Sequence, residues 1–536
     1  MMEMKRRDFI KLTASAALAA GAIGTDIFSV EAAEHDSEFF RPDYTSSSGF
    51  VNLSESQAYI AGYPVSWWDQ NYGMPLHVHY AGQIRSNLRA YMQVFNELYK
   101  NAEIRYAAKA CTHPGVFRII RQEGAGADVA SDNEARCALD GGIKPELIDV
   151  NGNAKSDDLI KTAIVKDMLI IANDIDEFQI ISEMASAIGK SPRVMLRISG
   201  LDGDNLVDSL ITTAGPWTKF GCSLNSMPEF FELLKKTATV RFMGFHVHIG
   251  SQVTRPEPFL FAAGKLVELS KTLQAKGHKC SMINIGGGYP VSYLTKEQWE
   301  HILGRIRFGY SKSLEGDNSA LWTWAGSLNG FTVSKKGKEK VLNFSGKEYY
   351  CEHAKENMLR TILTGNINVE GRSVNTVSAL KEIGEPVLVI EPGRSIVEDS
   401  GVTLLKVLRT RRIGGVHDMT TVNIGETSFA AAMNGMPFNR WSVATELKTF
   451  DELPYETFIA GQLCFSSDML TKCKVELQHK PKKGEILIIY CTGAYNSQFF
   501  AANTNSFPRP ARVLVMENGS IEYIKKRDTY EQIFSL

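Results

Sequence analysis

Short apolar runs alternate with amphipathic stretches between residues 76 and 395. Eight of the runs have the character of buried parallel strands: IRYAAKA, GADVASD, ELIDVNG, MLIIAND, RVMLRIS, FMGFHVHIG, MINIGGGY and VLVIEPGR. Several are followed by segments of helical periodicity, such as DEFQIISEMASAIGK. This alternation predicts an α/β fold, a (β/α)8 TIM barrel, whose functional groups gather at the C-terminal ends of the strands.

The pattern changes after residue 396. Alternating or short strands separated by turns, such as MTTVNIG, GEILIIYCTGAY and ARVLVMENG, predict a C-terminal β domain, a barrel or sandwich, over residues 396–536. We expect a strand from residues 50–75 to join it. The region from about residue 293 to about residue 369 has weak apolar periodicity and a charged run, KKGKEK, and it is long for a barrel connection. We interpret this region as an inserted subdomain that forms part of the substrate pocket.

The N-terminus combines an arginine pair with a mildly apolar run. Arg6 and Arg7 lie in KRRDFIK, and the next residues are mostly alanine and glycine, with small residues at a plausible cleavage point near residue 32. A membrane span needs about 20 strongly apolar residues, more than this stretch supplies. The pattern predicts a twin-arginine export signal over residues 1–32 and a periplasmic protein. An amphipathic N-terminal anchor is the alternative.

Composition narrows the classes of partner. Lysine and arginine number 59 against 60 aspartates and glutamates, so the chain lacks the basic excess that a nucleic-acid-binding protein normally shows. The eight cysteines are scattered, with no CxxC spacing to indicate a zinc knuckle or a redox pair. We therefore expect a small-molecule substrate and no structural metal.

Four motifs place reactive groups at predicted strand ends. They are Lys109 in YAAKA, His246 and His248 in GFHVHIGSQ, the glycines of IGGGYP, and the acid and base of EPGR. Taken singly, each has a plain explanation: a surface lysine, a packed or metal-binding histidine pair, a turn, or an ion pair. Together they supply what pyridoxal phosphate requires, namely a lysine, a phosphate-binding backbone, a base facing the ring and a carboxylate for the ring nitrogen.

The order of the motifs carries a family resemblance. The chain contains YAAKA, GAGADVASDNEA, NGNAKSDDLI, KFG, HVHIGSQ, IGGGYP, EPGR, CFSSD, GAYNSQ and FPRPARVLV in sequence. In these motifs it resembles the fold-type III pyridoxal-phosphate-dependent decarboxylases of ornithine, diaminopimelate and arginine, and within them the diaminopimelate branch. The resemblance runs from about Tyr72 to Ile524, the insertion excepted. It implies an alanine racemase-like barrel with a C-terminal β domain.

The resemblance also implies a role for each matching residue. Lys109 would hold the cofactor as an aldimine, His248 would stack on its ring, and Glu391 would pair with the ring nitrogen. The residues expected to contact or enclose the phosphate are Ser251, Gly286, Gly287, Gly288, Gly393, Arg394 and Tyr495. Asp128 and Arg197 are expected in the surrounding polar shell. Cys464 would reach in from the second subunit of a homodimer and reprotonate the substrate carbon.

The residues that would recognise the substrate depart from the family pattern. The family usually has an acid directly after the cysteine, where this chain has Phe465, and the diaminopimelate branch has an arginine where this chain has Met436. Arg440 is a possible substitute, and Asp468 completes the Cys-x-x-x-Asp pair. An aromatic ring offers a substrate ammonium only a cation–π contact. We therefore predict a carboxy-lyase, an enzyme that decarboxylates an amino acid that need not be diaminopimelate.

Three alternatives remain open. One is a pyridoxal-phosphate-dependent racemase on the same architecture, and another is a catalytically silent homologue that binds the cofactor. The third is a metal-dependent hydrolase, because LHVHY places His77 and His79 as in barrels that open with a histidine pair.

Overall fold

The computed structural model describes most of the chain. The described residues are 49–54, 56–201, 214–215, 218–324, 331–336, 339–344, 349–428, 439–445, 453–496 and 503–534. The predicted export signal and Met436 lie outside them. The chain divides into two compact units, one containing Leu303–Lys347 and the other containing Arg41–Ile302 with Glu348–Leu536. No helix among the described residues is long and apolar enough to cross a membrane.

Eight parallel strands close into a barrel. Their bounds are Ala102–Ala107, Gly126–Val129, Ile148–Val150, Leu169–Ala172, Arg193–Ser199, Arg241–His246, Met282–Asn284 and Val387–Ile390. Each pairs in parallel with its neighbours, and the last strand pairs with the first, which closes the ring. Cys222–Ser223 extends the edge of Arg193–Ser199. All eight strands predicted from the apolar runs are present, so the prediction of a TIM barrel is confirmed.

Helices surround the barrel strands. Ala81–Leu98 precedes the first strand, and the helices between strands include Pro114–Gln122, Asp132–Asp140, Asp157–Lys166, Ile175–Ile188, Met227–Lys236, Glu257–Ala275, Glu356–Thr364 and Thr376–Glu382. Ile175–Ile188 shows how the sequence sets such a helix. The Asp174 side chain accepts a hydrogen bond from the Glu177 N–H, and Gly189 ends the helix in the left-handed conformation. Phe178 and Ile181, three residues apart, are buried on one face.

An apolar layer supports the polar residues of the barrel mouth. Leu169, Ile171, Met195, Met282 and Val389 come from four different strands and pack against one another. Side chains two positions apart share a strand face. Arg197, Asn284 and Glu391 follow three members of this layer by two residues, and they therefore point the same way, nearer the C-terminal ends of the strands.

The second sheet includes a strand from before the barrel. Leu76–Tyr80 lies between Gly401–Ile413, with which it pairs antiparallel, and Ala511–Val515, with which it pairs parallel. The other strands are His417–Val422, Trp441–Val443, Tyr455–Ala460, Val475–Leu477, Ile486–Tyr490 and Ile521–Lys525. The predicted barrel begins at residue 76, but LHVHY pairs within this second sheet, although it is apolar enough for a barrel strand. The barrel unit therefore begins at residue 81.

His77 and His79 belong to that strand and not to the barrel. Both are buried, and the His77 Nδ1 lies 2.7 Å from the Thr403 hydroxyl. The His79 Nε2 lies 3.2 Å from an Arg512 nitrogen. No cluster of three metal-ligating side chains occurs among the described residues. The histidine pair on which the hypothesis of a metal-dependent hydrolase rests is thus buried in the second sheet, where each ring contacts a neighbouring strand.

Residues before Leu76 form a small separate sheet. Val51–Leu53, Ala58–Ile60 and Tyr63–Pro64 pair in antiparallel order and precede the helix Val65–Tyr72. A β-bridge between Gln57 and Thr445, the Ala58 N–H donating to the Ala444 carbonyl, and the Tyr63 hydroxyl donating to the Gly519 carbonyl connect this sheet to the C-terminal domain. The expected link between residues 50–75 and the β domain is therefore a bridge and not a full strand.

The insertion is shorter than its sequence pattern suggests. Lys296–Leu314 is a helix, and Phe331–Lys336 pairs with Glu339–Phe344 in an antiparallel hairpin. The following helix, Glu356–Thr364, buries Met358, Leu359, Ile362 and Leu363 in the barrel core. The hairpin Asn366–Val369 with Arg372–Asn375 follows. The separate compact unit thus ends at Lys347, and the residues up to 369 belong to the barrel unit.

Candidate active site

A carboxylate is held at the mouth of the barrel by residues from two neighbouring strands. The Asn284 amide donates to Glu391 Oε1 at 2.7 Å, and the His246 Nε2 lies 3.1 Å from the same oxygen. Arg197, His246 and Asn284 are register partners on three adjacent strands. Asn284 was missed by the sequence reasoning, although its position two residues after Met282 on an inward face was a usable signal.

Burial and charge shape the electrostatics of this cluster. Burial raises the pKa of Glu391, against the opposing hydrogen bond from Asn284 and the charge of Arg197. Burial, and next the proximity of Glu391, raise the pKa of Asp128 well above its usual range. Burial lowers the pKa of Arg197 to about 10, and its guanidinium lies 4.3 Å from the centroid of the Phe220 ring. These carboxyl groups are therefore suited to sharing a proton with a bound heteroaromatic nitrogen.

Lys109 lies on the turn Ala108–Ala110, directly after the strand Ala102–Ala107. Its side chain is exposed, whereas Ala108 and Ala110 are buried. The Ala107 N–H donates to the Pro392 carbonyl at 3.3 Å, so the turn that carries Lys109 lies beside the segment that carries Glu391. The strand therefore ends in a primary amine, and the role of Lys109 in holding the cofactor stays a prediction.

His248 is fixed as a neutral ring beside the glycine run. The Gly287 N–H donates to the His248 Nδ1 at 3.0 Å, so the ring proton is on Nε2. Burial, followed by the charge of Lys109, lowers the pKa of His248 well below its usual range. A Cβ at residue 287 would lie 2.3 Å from the Glu391 carbonyl oxygen, so only glycine fits there.

Two amides of the glycine run donate to side chains of the site, and contact of the run with a phosphate stays a prediction. Of the three amides predicted to surround a phosphate, Gly286 donates to the Asn284 side chain at 2.8 Å and Gly287 donates to His248. Gly286 also has a φ of 68° and approaches the Val247 carbonyl oxygen. Gly286 and Gly287 thus position the Asn284 and His248 side chains. Gly287 also allows the strand end of His248 to lie close to that of Glu391. Ser251 lies half-buried just past Gly250, whose carbonyl borders Gly288.

A cationic group lies at the end of the last barrel strand. Arg394 follows Gly393 and begins the short helix Arg394–Val397. Its Nη1 donates to the Tyr293 hydroxyl at 2.9 Å and to Glu398 Oε1 at 3.1 Å, and its guanidinium lies 4.7 Å from the Tyr495 ring centroid. The predicted phosphate residues Arg394 and Tyr495 are therefore in contact.

The predicted substrate-recognition residues lie in the C-terminal domain. Cys464 is exposed and its N–H donates to the Asn505 side chain at 2.9 Å, while Phe465 keeps 37% of its surface exposed. Asp468 is buried, and its two oxygens accept from the Glu426 and Leu463 N–H groups, each at 2.7 Å. Asp468 thus holds the loop that carries Cys464.

Arg440 lies apart from that loop along the chain. Its guanidinium is 5.3 Å from the Tyr490 ring centroid, and its carbonyl accepts from the Tyr490 N–H at 3.1 Å. Met436 lies outside the described residues. The roles of Arg440 and Met436 in substrate recognition remain predictions.

The barrel mouth fits pyridoxal phosphate. Asp128 Oδ1, Arg197 Nε and His246 Nδ1 are among the buried polar atoms that have no hydrogen-bond partner in the described part of the chain. Such atoms are rare in folded proteins and indicate a missing ligand or water. Lys109, His248, Glu391 and Arg394 all lie at or just after the C-terminal ends of barrel strands, and they supply the amine, ring face, carboxyl and cation that a flat, phosphate-bearing aldehyde needs.

Comparisons with known proteins agree with this chemistry. Residues 81–327 match the family model described as pyridoxal-dependent decarboxylase, pyridoxal binding domain. The diaminopimelate decarboxylase of Bacillus subtilis (strain 168) is 28% identical over 488 residues, covering 89% of this chain and 94% of that protein. The diaminopimelate decarboxylase of Aquifex aeolicus (strain VF5) is 24% identical, covering 90% and 96%.

Solved structures share the fold. The diaminopimelate decarboxylase of M. jannaschii in complex with L-lysine has a TM-score of 0.72 at 24% identity, covering 92% of this chain and 98% of that one. The lysine/ornithine decarboxylase of Vibrio vulnificus in complex with putrescine has a TM-score of 0.60 at 19% identity, covering 84% and 97%. In sequence and in fold, the chain is similar to the pyridoxal-phosphate-dependent amino-acid decarboxylases, and residues 81–327 match the pyridoxal-binding domain of that family.

Proposed function

We propose that this protein uses Lys109 to hold pyridoxal phosphate at the barrel mouth and decarboxylates an amino acid other than diaminopimelate. The observation that carries the proposal is the joint position of three groups: the exposed amine of Lys109, the neutral ring of His248 and the buried carboxyl of Glu391. When bound, the cofactor supplies an electron sink for the negative charge left by departing carbon dioxide.

Residues of the chain hold the cofactor and move protons in this proposal. Lys109 supplies the amine for covalent attachment, and His248 offers a ring face whose orientation the Gly287 N–H fixes. Glu391, held by Asn284 and His246, keeps a proton near the ring nitrogen. Arg394 supplies positive charge for the phosphate. Cys464, exposed on its loop, is the proposed proton donor to a partner subunit's site in a homodimer.

The substrate proposal follows from residues around Cys464. Phe465 replaces an acid that the family uses for a distal ammonium, and Asp468 is occupied with two backbone N–H groups. An aromatic ring recognises a cation only weakly at an exposed site, about 0.5–1 kcal/mol. A substrate with two charged ends, such as diaminopimelate, would therefore lose recognition at its distal end.

Carbon dioxide release across a panel of L- and D-amino acids tests the function. We expect purified protein loaded with pyridoxal phosphate to release carbon dioxide from at least one amino acid, with a higher kcat/KM than for diaminopimelate. Chiral chromatography of the same reactions distinguishes decarboxylation from racemisation. Release from no member of the panel would contradict the proposal, and a clear preference for diaminopimelate would contradict its substrate part.

We also propose that the protein is exported to the periplasm through the twin-arginine route. Arg6 and Arg7 are followed by an acid, an aromatic and an aliphatic residue ahead of an apolar run, the arrangement of such signals. A route that carries folded cargo suits a protein that must acquire pyridoxal phosphate in the cytoplasm before it leaves.

The paired substitution Arg6→Lys with Arg7→Lys tests the export route. We expect the double variant to stay in the cytoplasm with its leader uncleaved, because the lysine pair keeps the charge and loses the guanidinium groups. Cell fractionation and the mass of the mature protein measure this. Lys11→Arg, a conservative change outside the pair, is the matched control. Unchanged export of the double variant would contradict the signal assignment.

A further inference from the structure

A buried acid lies behind the phosphate-side arginine and has no role in the reaction described above. Glu398 keeps 3% of its surface exposed. Its Oε1 accepts from Arg394 Nη1 and from the Tyr293 hydroxyl, and its Oε2 accepts from the Ala494 N–H at 2.7 Å. One carboxylate therefore joins the arginine to a separate segment of the C-terminal domain.

That segment reaches the turn that carries the lysine. The Gly493 N–H donates to the Glu398 carbonyl at 2.9 Å, and the Tyr495 N–H donates to the Ala110 carbonyl at 2.9 Å. Ala110 is the residue after Lys109. A Cβ at residue 493 would lie 1.7 Å from the Val397 carbonyl oxygen, so the segment is packed directly against the helix of Arg394. Glu398 is thus connected to both the arginine and the lysine turn.

Burying the Glu398 carboxylate with Arg394 is not by itself a source of stability. A buried ion pair often contributes no more to stability than apolar side chains of the same volume would, while removal of one partner leaves the other charge uncompensated. The three hydrogen bonds of the Glu398 side chain come from Arg394, from Tyr293, which itself bonds Arg394, and from the backbone beside Tyr495. The carboxylate therefore orients Arg394 and the backbone of residues 493–495 together.

We propose that Glu398 is a positioning residue that holds Arg394 and the Gly493–Tyr495 segment in the arrangement that binds the cofactor phosphate. The inference rests on the proposed function, since it places the phosphate at Arg394. Glu398 itself acts through Arg394, Tyr293 and Ala494 and does not touch the cofactor. Its effect is accordingly specific for ligands that carry a phosphate.

A pair of ligands that differ only in the phosphate separates positioning from general stability. We titrate the cofactor-free full chain with pyridoxal phosphate and with pyridoxal, using absorbance and tryptophan fluorescence. We expect Glu398→Ala to weaken pyridoxal phosphate binding about 10- to 100-fold, the loss of one or two hydrogen bonds to charged groups. Pyridoxal binding should change less than about twofold. Glu398→Gln, which keeps the shape and one acceptor oxygen, should fall between wild type and alanine.

The neighbouring acid provides the matched control. Asp399 pairs with Lys355 at 2.6 Å and contacts Asn87, away from Arg394. Asp399→Asn should leave the ratio of the two affinities at the wild-type value. The inference would be overturned if Glu398→Gln lowered the affinities for both ligands equally. It would also be overturned if the affinity for pyridoxal phosphate stayed the same or rose. If the wild-type protein binds no pyridoxal phosphate, the proposed function fails as well. If the wild-type protein and Glu398→Gln bind pyridoxal phosphate equally well, only the role of Glu398 is excluded.

Discussion

Lys109→Ala should reduce carbon dioxide release by at least about 10⁴-fold, the scale on which enzymes lose turnover when a covalently acting residue is removed. Lys109 follows the first barrel strand, whose Ala107 N–H donates to the Pro392 carbonyl beside Glu391, and its turn is held by the Tyr495 N–H at the Ala110 carbonyl. Alanine removes the nucleophile and leaves that backbone contact in place. Initial rates on the best substrate of the panel measure the loss.

Two further substitutions separate covalent attachment from charge. Lys109→Arg keeps the positive charge but has no free amine, so it should be as inactive as alanine. Lys100→Ala, at an exposed position before the same strand, should behave like wild type. Borohydride reduction followed by peptide mass spectrometry should find the cofactor on Lys109 in wild type. Turnover by Lys109→Ala near the wild-type rate would exclude Lys109 as the attachment site.

Glu391→Gln should lower kcat by about 10²–10³-fold, the range measured for loss of one preorganised electrostatic group in an active site. The acid is buried and fixed by Asn284 and His246, and burial raises its pKa, so it is suited to share a proton with the ring nitrogen. A glutamine keeps the size of the side chain but cannot bear the compensating charge. KM should change little, because the loss falls on the transition state.

The matched control for that substitution lies at the other end of the strand. Glu385→Gln, exposed just before Val387–Ile390, removes one acid without touching the cluster. It should leave kcat unchanged. Both variants should bind the cofactor in full, which absorbance after gel filtration measures. A Glu391→Gln protein with wild-type kcat would show that the carboxyl does not act on the reacting system.

The barrel was predictable because each of its strands is a short apolar run that ends in a polar or glycine-rich motif. Lys109, Asp128 and Glu391 were found for the same reason, since they stand where an apolar run stops. Asn284 was missed because it precedes the glycines and resembles part of a turn. Its function depends on a contact with Glu391, a residue 107 positions away.

Other features depend on tertiary context that a local pattern does not carry. LHVHY has the composition of a barrel strand, and only its pairing partners assign it to the second sheet. Weak apolar periodicity and a charged run predict an insertion up to about residue 369, whereas only the packing of Met358, Leu359, Ile362 and Leu363 assigns Glu356–Thr364 to the barrel. The hydrogen bonds from the Gly286 and Gly287 N–H groups to Asn284 and His248 likewise depend on contacts that the glycine motif alone does not show.

The strand Leu76–Tyr80 has a consequence for the order of synthesis and folding. His77 contacts Thr403, 326 residues later, and His79 contacts Arg512, 433 residues later. Leu76–Tyr80 is synthesised before the barrel, and both of its neighbouring strands, Gly401–Ile413 and Ala511–Val515, are synthesised after it. Contacts this distant in sequence slow folding and leave a buried strand exposed in the meantime. A chain that lacks the C-terminal domain would therefore leave the edges of this strand unpaired and open to aggregation.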